Sequence, residues 1–98
     1  MKIYNEKQEC VGFLMAKDTK SFKIWDLLDT KNKRIATIHL FLSRDKKGIL
    51  YMLDDFQIRE SLNLKAKEKF TIQAENPQEI ELFGKEQIDM NFNIKEIQ

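Results

Sequence analysis

The sequence predicts a mainly β domain of the β-rich α+β class, as a small antiparallel sheet or barrel-like domain with one short helix. Two observations lead to this expectation. Short runs of β-branched and aromatic residues recur between polar turns, and only residues 55–63 show helical spacing. The chain has 98 residues, the size of one domain, and we therefore expect residues 1–98 to form a single unit.

The first half of the chain predicts four strands joined by polar turns. The runs that predict them are 10–16, 22–28, 34–42 and 49–53. The turns between them contain Asp, Asn, Ser or Gly, which are turn-forming residue types. Residues 34–42, with the sequence RIATIHLFL, are apolar on both faces, which is typical of a central strand covered on both sides.

A short helix is predicted near 55–63. Asp54 and Asp55 are good helix-start residues, and the apolar residues that follow lie four positions apart. Asn63 stands at the end of the segment, and Asn tolerates the left-handed conformation that often terminates a helix.

The remaining segments predict a hairpin and a terminal strand. Residues 69–74 and 79–83 alternate as strands around a polar turn at 75–78. Apolar and polar residues also alternate from Ile88 to Lys95, which predicts a strand with one buried face. Its partner strand belongs either to the same chain or to a second copy, and a homodimer would enlarge a small core.

Charge is distributed unevenly along the chain. The net charge of +1 alone suggests no polyanionic partner. Residues 17–47, however, hold nine Lys and Arg against four Asp, a balance of +5, whereas residues 48–98 hold six basic against ten acidic side chains, a balance of −4. This asymmetry fits a protein with a polyanion-facing end, and it fits two solvated faces equally well.

The sequence predicts a cytoplasmic protein with no membrane partner. No apolar run approaches the roughly 18–20 residues that a membrane helix needs. The N-terminus carries acidic residues and no apolar signal-peptide segment. Cys10 is the only cysteine, which rules out an intrachain disulfide and fits a reducing compartment.

No residue pattern indicates catalysis. His39 is the only histidine and lies among apolar residues, so we expect it to be buried or half-buried rather than a metal ligand. Cys10 has no activating neighbour, and the pair Asp54 and Asp55 is explained by helix capping. The chain has only three glycines and no phosphate-cradling loop. We therefore expect no enzymatic activity, no metal and no cofactor.

Six aromatic residues at strand positions fit either the core or base stacking. They are Trp25, Phe41, Tyr51, Phe70, Phe83 and Phe92. Trp25 alternates with Lys23 on one face of its predicted strand. An exposed Trp beside Lys would be a binding anchor.

Residues 58–72, with the sequence IRESLNLKAKEKFTI, resemble the signature of the AbrB/MazE swapped-hairpin family. That signature is a short helix of the type I-R-E-x-L-G-L followed by K-x-G-D and alternating apolar residues. Asn63 stands where the family has Gly, and Lys67-Glu68 stands where it has Gly-Asp. The resemblance extends more loosely over 35–83, where the turn at 44–48 takes the place of the family's first loop.

The resemblance implies an interdigitated homodimer that binds DNA through basic side chains of its first hairpin. By position these are Arg44, Lys46 and Lys47, with Arg34. Our first hypothesis is therefore a homodimeric DNA-binding protein that regulates transcription. Two alternatives stay open. One is a protein-binding module, such as an inhibitor or accessory factor, that acts through the acidic surface, and the other is a single-stranded nucleic-acid binder.

Overall fold

One antiparallel sheet carries three helices on one of its faces. The computed structural model describes residues 1–84, 86–89 and 94–96, and within them seven strands and three helices form. The strands are β1 Lys2–Tyr4, β2 Cys10–Ala16, β3 Ile24–Asp29, β4 Arg34–His39, β5 Thr71–Gln73, β6 Glu86–Asp89 and β7 Ile94–Glu96. The helices are α1 Lys46–Leu53, α2 Phe56–Ser61 and α3 Pro77–Phe83.

The strand order is β4-β3-β2-β1-β5-β6-β7, and every neighbouring pair is antiparallel. Strands β1 to β4 form a meander, and the pairing of β1 with β5 joins this meander to the hairpin of β6 and β7. The predicted β-rich α+β fold is therefore confirmed.

The core lies between the helices and one face of the sheet. Cross-strand register places Leu14 beside Leu27, and both side chains are fully buried on this face. Gly12 lies on the same face, and a Cβ atom built on it would lie 2.8 Å from the Leu62 Cδ2 atom at the end of α2. The absence of a side chain at residue 12 therefore lets α2 approach β2.

Each helix begins with an Asx cap. The side chain of Asp45 accepts a hydrogen bond from the Gly48 backbone N–H at the start of α1, and Asp55 does the same for α2. Asn76 caps α3, in which Pro77 occupies the first turn. Asn63 has φ 59°, so the left-handed residue predicted at the end of α2 is confirmed.

Two predicted strands are helices. Residues 49–53 lie in α1, and residues 79–83 lie in α3, which also takes up part of the predicted turn at 75–78. In short segments an apolar alternation also fits one face of a helix, and here the caps described above decide the outcome. In α1 the buried side chains are Ile49, Leu50 and Leu53, the spacing of a helix face.

The predicted central strand at 34–42 is an edge strand. β4 ends at His39 and forms one edge of the described sheet, and the side chains of Arg34, Thr37 and His39 on this strand are exposed. The apolar residues that made this segment look covered on both sides include Phe41 and Leu42, which follow the strand and are exposed.

The predicted tail strand consists of two strands of one hairpin. β6 pairs with β5 and with β7, and Ile88 is the register partner of Ile94. The partner strand thus belongs to the same chain. Met90 and Phe92, which were predicted to share the face of these residues, lie outside the described residues.

A buried arginine fixes the connection between α2 and β5. The Nε and Nη2 atoms of Arg59 donate to the Lys65 carbonyl oxygen at 3.2 and 2.6 Å, and Nη2 also donates to the Glu68 carbonyl oxygen. The guanidinium lies 5.5 Å from the centre of the Phe70 ring, and the side chain is 2% exposed. Carbonyl oxygens and an aromatic face thus take the place of a carboxylate partner.

A buried ion pair fixes α3. The Met1 ammonium donates to the Glu79 carboxylate at 2.8 Å and to the Leu14 carbonyl oxygen at 2.7 Å. The second Glu79 oxygen accepts from the Glu75 backbone N–H at 3.1 Å. These bonds hold the first turn of α3 against β1 and β2.

Arg59→Lys should lower the free energy of unfolding by about 2–4 kcal/mol, because an ammonium cannot reproduce the planar fork that bonds two carbonyls. Urea denaturation followed by Trp25 fluorescence measures this change. The matched control is Arg44→Lys at an exposed position, which should change stability by less than about 0.5 kcal/mol. Equal stability of the two variants would contradict the structural role of Arg59.

Candidate functional site

The meander brings two connections to the same end of the sheet. The β2–β3 connection and the β4–α1 connection adjoin, because Leu40 continues the register of β4 and its N–H donates to the Lys23 carbonyl oxygen at 2.6 Å. We call residues 17–23 together with 40–47 the basic end.

The basic end concentrates positive charge. It holds six basic side chains against two aspartates, a formal charge of +4. The basic residues are Lys17, Lys20, Lys23, Arg44, Lys46 and Lys47. Lys46 is half-buried and the other five are exposed. Such a concentration of positive charge attracts anionic groups.

Both aspartates of the basic end accept hydrogen bonds from their own connections. Asp18 accepts from the Ser21 hydroxyl and from the backbone N–H groups of Lys20 and Ser21. These bonds, that of the Ser21 hydroxyl above all, hold the pKa of Asp18 below its usual range. Asp45 caps α1 through the Gly48 N–H at 3.1 Å. The carboxylates thus shape the two connections, while five of the six basic side chains of the basic end are exposed.

Two apolar side chains stand exposed among these cations. Phe41 is 86% exposed and Leu42 is 61% exposed. Their exposure is imposed by the chain on either side, because Leu40 is buried and the Asp45 N–H donates to the Leu42 carbonyl oxygen at 3.0 Å. A turn held at both ends therefore presents Phe41 to solvent.

The structure brings together three of the four basic residues predicted to bind DNA. Arg44, Lys46 and Lys47 lie at the basic end, but Arg34 pairs with Leu28 at the opposite end of β4. The five residue steps from Arg34 to His39 correspond to about 17 Å at roughly 3.3 Å per residue. Arg34 thus lies at the start of β4, beside the β3–β4 turn, and the structure does not bring it together with the other three.

Lys17 and Lys20 belong to the basic end but were not among the site residues predicted from the sequence. They lie more than twenty positions before Arg44, and only the hairpin between β2 and β3 returns them to the same end. The +5 balance of residues 17–47 was the one sequence signal that included them.

Trp25 is a core residue and not an exposed binding anchor. Its side chain is 0% exposed, and its Nε1–H donates to the Phe22 carbonyl oxygen at 2.7 Å. The Phe83 ring packs edge-on against it, with 5.6 Å between the ring centres. Lys23, its predicted companion, is exposed and lies at the basic end.

The remaining reactive side chains form no site. His39, expected to be at least half-buried, is exposed because it lies on the face of β4 opposite to Ile38, the register partner of the buried Trp25. Cys10 is half-buried, and its Sγ lies 3.6 Å from the Gly12 carbonyl oxygen. Within the described ranges no three His, Cys, Asp or Glu side chains are grouped so that they could hold a metal ion. No described helix combines the length and the apolar character required to cross a membrane.

The opposite end of the sheet holds two interlocked carboxylates. Glu68 accepts from the N–H groups of Lys65, at 3.1 Å, and of Glu6, at 3.4 Å. Glu6 in turn accepts from the Lys69 N–H at 3.2 Å. The Lys65 N–H chiefly holds the pKa of Glu68 below its usual range, with the Glu6 N–H and the charges of Lys65 and Arg59 adding to the effect. These carboxylates tie the β1–β2 turn to the α2–β5 connection.

Comparisons with known proteins identify no relative, since no family model, no curated protein and no solved structure gives a significant match. The function is therefore inferred from the geometry and charge of the chain's own residues.

Glu68→Gln should remove part of the pH dependence of stability. Because the pKa of Glu68 is lower in the folded state than in the unfolded state, its stabilisation is complete above the unfolded pKa and is lost as the pH falls through the folded value. We expect Glu68→Gln to lower the urea midpoint at about pH 7 and to match the parent protein below about pH 3.

Trp25 fluorescence across a pH series of urea titrations measures this convergence. Glu60→Gln, at an exposed carboxylate on α2, is the matched control and should leave the midpoint unchanged throughout. A difference between Glu68→Gln and the parent that stays constant down to acid pH would show that the charge of Glu68 is not the cause.

Proposed function

We propose that the protein binds nucleic acid, DNA in the first instance, through the basic end and catalyses no reaction on it. The observation that carries the proposal is the formal charge of +4 on two adjoining connections whose aspartates are both engaged in local hydrogen bonds. Lys and Arg side chains on such a surface neutralise phosphates and release their counterions.

The placement of the acidic residues favours binding in one orientation. Asp54 and Asp55 follow the last turn of α1, whereas Lys46 and Lys47 lie in its first turn. A helix of this length separates the two groups by about 12 Å at 1.5 Å per residue. A polyanion would therefore meet the cations of the basic end while the carboxylates at the α1–α2 junction stay away from it.

A regulatory role in transcription is the form of this function that the AbrB/MazE resemblance suggests. The residues that carry that resemblance, 58–72, include α2 and the connection held by Arg59. We assign them to the scaffold and assign the DNA contacts to the basic end. In a homodimer each copy would contribute its own basic end, and β4, at the edge of the sheet formed by the described residues, offers its backbone to a second copy.

Reversing the charges at the basic end should abolish most DNA binding. For about four to five phosphate contacts per chain, the log–log dependence of affinity on salt should have a slope of roughly −4. We expect the double variant Arg44→Glu/Lys47→Glu to weaken binding by at least about tenfold and to flatten that slope. Fluorescence anisotropy with a labelled duplex at several salt concentrations measures both quantities.

The double variant Lys31→Glu/Lys33→Glu is the matched control, because it makes the same charge change on exposed residues of the β3–β4 turn. It should weaken binding far less, as should Arg34→Glu. Circular dichroism checks that all variants are folded. If the control variants lose affinity as much as the first pair, the attraction comes from overall charge and the basic end is not the site.

Homodimerisation predicts a sedimenting species of twice the 11.7 kDa chain mass at micromolar concentration. Sedimentation velocity across a concentration series measures the mass directly. A species of single-chain mass at the highest concentration would exclude the dimer, and the nucleic-acid proposal would then apply to one basic end per particle.

A further inference from the structure

We infer that the preferred ligand is single-stranded nucleic acid and that Phe41 is the residue on which a base stacks. The inference rests on the proposed function, because the cations of the basic end supply the phosphate contacts. It adds to that function the class of nucleic acid and the residue that selects it.

Phe41 differs from the aromatic residues of the core. Trp25, Phe70 and Phe83 are each less than 5% exposed, whereas 86% of Phe41 is exposed at the basic end. Leaving a Phe side chain in water forgoes the free energy that its burial would contribute to a small protein. A ligand that covers this ring would recover that free energy.

The surroundings of the ring indicate which ligand covers it. Phe41 follows Leu40, which pairs with Lys23, and Arg44 lies three residues further along the chain. A polyanion that also carries flat aromatic groups can pair with the cations and stack on the Phe41 ring. Nucleic acid meets this description, whereas an apolar peptide would leave the cations without anionic partners.

The exposed ring also favours binding of single strands over binding of duplex. In a duplex the faces of the bases are covered by their neighbours, so a ring at the surface finds only groove edges and the sugar–phosphate backbone. In a single strand the base faces are accessible, and stacking on an aromatic side chain is tolerant of sequence. Because Leu40 and the turn closed by Asp45 hold the ring outward, no loop has to open before a base can stack.

Phe41→Ala tests the inference against labelled oligothymidylate, oligouridylate and a DNA duplex of equal length. We expect affinity for the single strands to fall roughly 5- to 150-fold, the range for the loss of one stacked base, while duplex affinity changes little. Phe56→Ala is the matched control, because Phe56 is a similarly exposed aromatic residue in the first turn of α2 and outside the basic end. The two single strands also show whether DNA or RNA is preferred.

Phe41→Trp supplies a spectroscopic readout that a purely structural role would not change. Stacking of a base should quench the indole introduced by Phe41→Trp, whereas Trp25 is fully buried and should keep its emission. Phe56→Trp should show no quenching. Circular dichroism confirms that each variant is folded.

The outcomes separate this inference from the proposed function. Selective loss of single-strand affinity in Phe41→Ala, with quenching in Phe41→Trp, supports it. Salt-dependent binding that Phe41→Ala leaves unchanged, or weakens equally on duplex and single strands, overturns the stacking role and leaves the proposed function standing. Absence of binding to every nucleic acid overturns both, and binding instead to phosphatidylserine vesicles that requires Phe41 would assign the basic end to an anionic membrane surface.

Discussion

The pairing of β1 with β5, which connects the first four strands of the sheet to the last three, depends on the burial of Arg59. Its guanidinium is removed from water, and the carbonyl oxygens of Lys65 and Glu68, the Phe70 ring and the charge of the Glu68 carboxylate compensate for part of the lost hydration. These contacts fold the chain between α2 and β5 into one conformation. β5 then reaches β1, which is the pairing that joins the first four strands to the last three. The sheet would otherwise consist of two separate parts.

The cations of this chain therefore serve two different purposes at two ends of the sheet. Arg59 and the interlocked Glu6 and Glu68 belong to the end where the α2–β5 connection meets the β1–β2 turn. The exposed lysines and Arg44 belong to the basic end. Arg59, Glu6 and Glu68 therefore take no part in the charge balance of the basic end, where the Met1–Glu79 ion pair is the neighbouring structural contact.

Structural features that depend on a few neighbouring residues were predictable from the sequence, and features that depend on tertiary packing were not. β2 and β3 follow from short apolar runs between polar turns, α2 follows from its four-residue spacing and from Asp55 as a cap, and Asn63 takes the left-handed conformation that its residue type favours. Residues 49–53 and 79–83 are too short for periodicity to distinguish strand from helix. The grouping of Arg44 with Lys47 is visible in the sequence, whereas that of Lys20 with Arg44 requires the meander, and the burial of Trp25 requires α3.

The carboxylates of Asp18 and Asp45 give the basic end a property beyond its charge. Each fixes the backbone of the connection that carries it, so the backbone from which the cations and Phe41 project is already ordered in the free protein. Ordering a mobile loop on association typically costs conformational entropy, which lowers affinity and slows capture. A preorganised surface avoids this cost. The basic end is thereby suited to rapid, electrostatically steered encounters in which the ligand, and not the protein, changes shape.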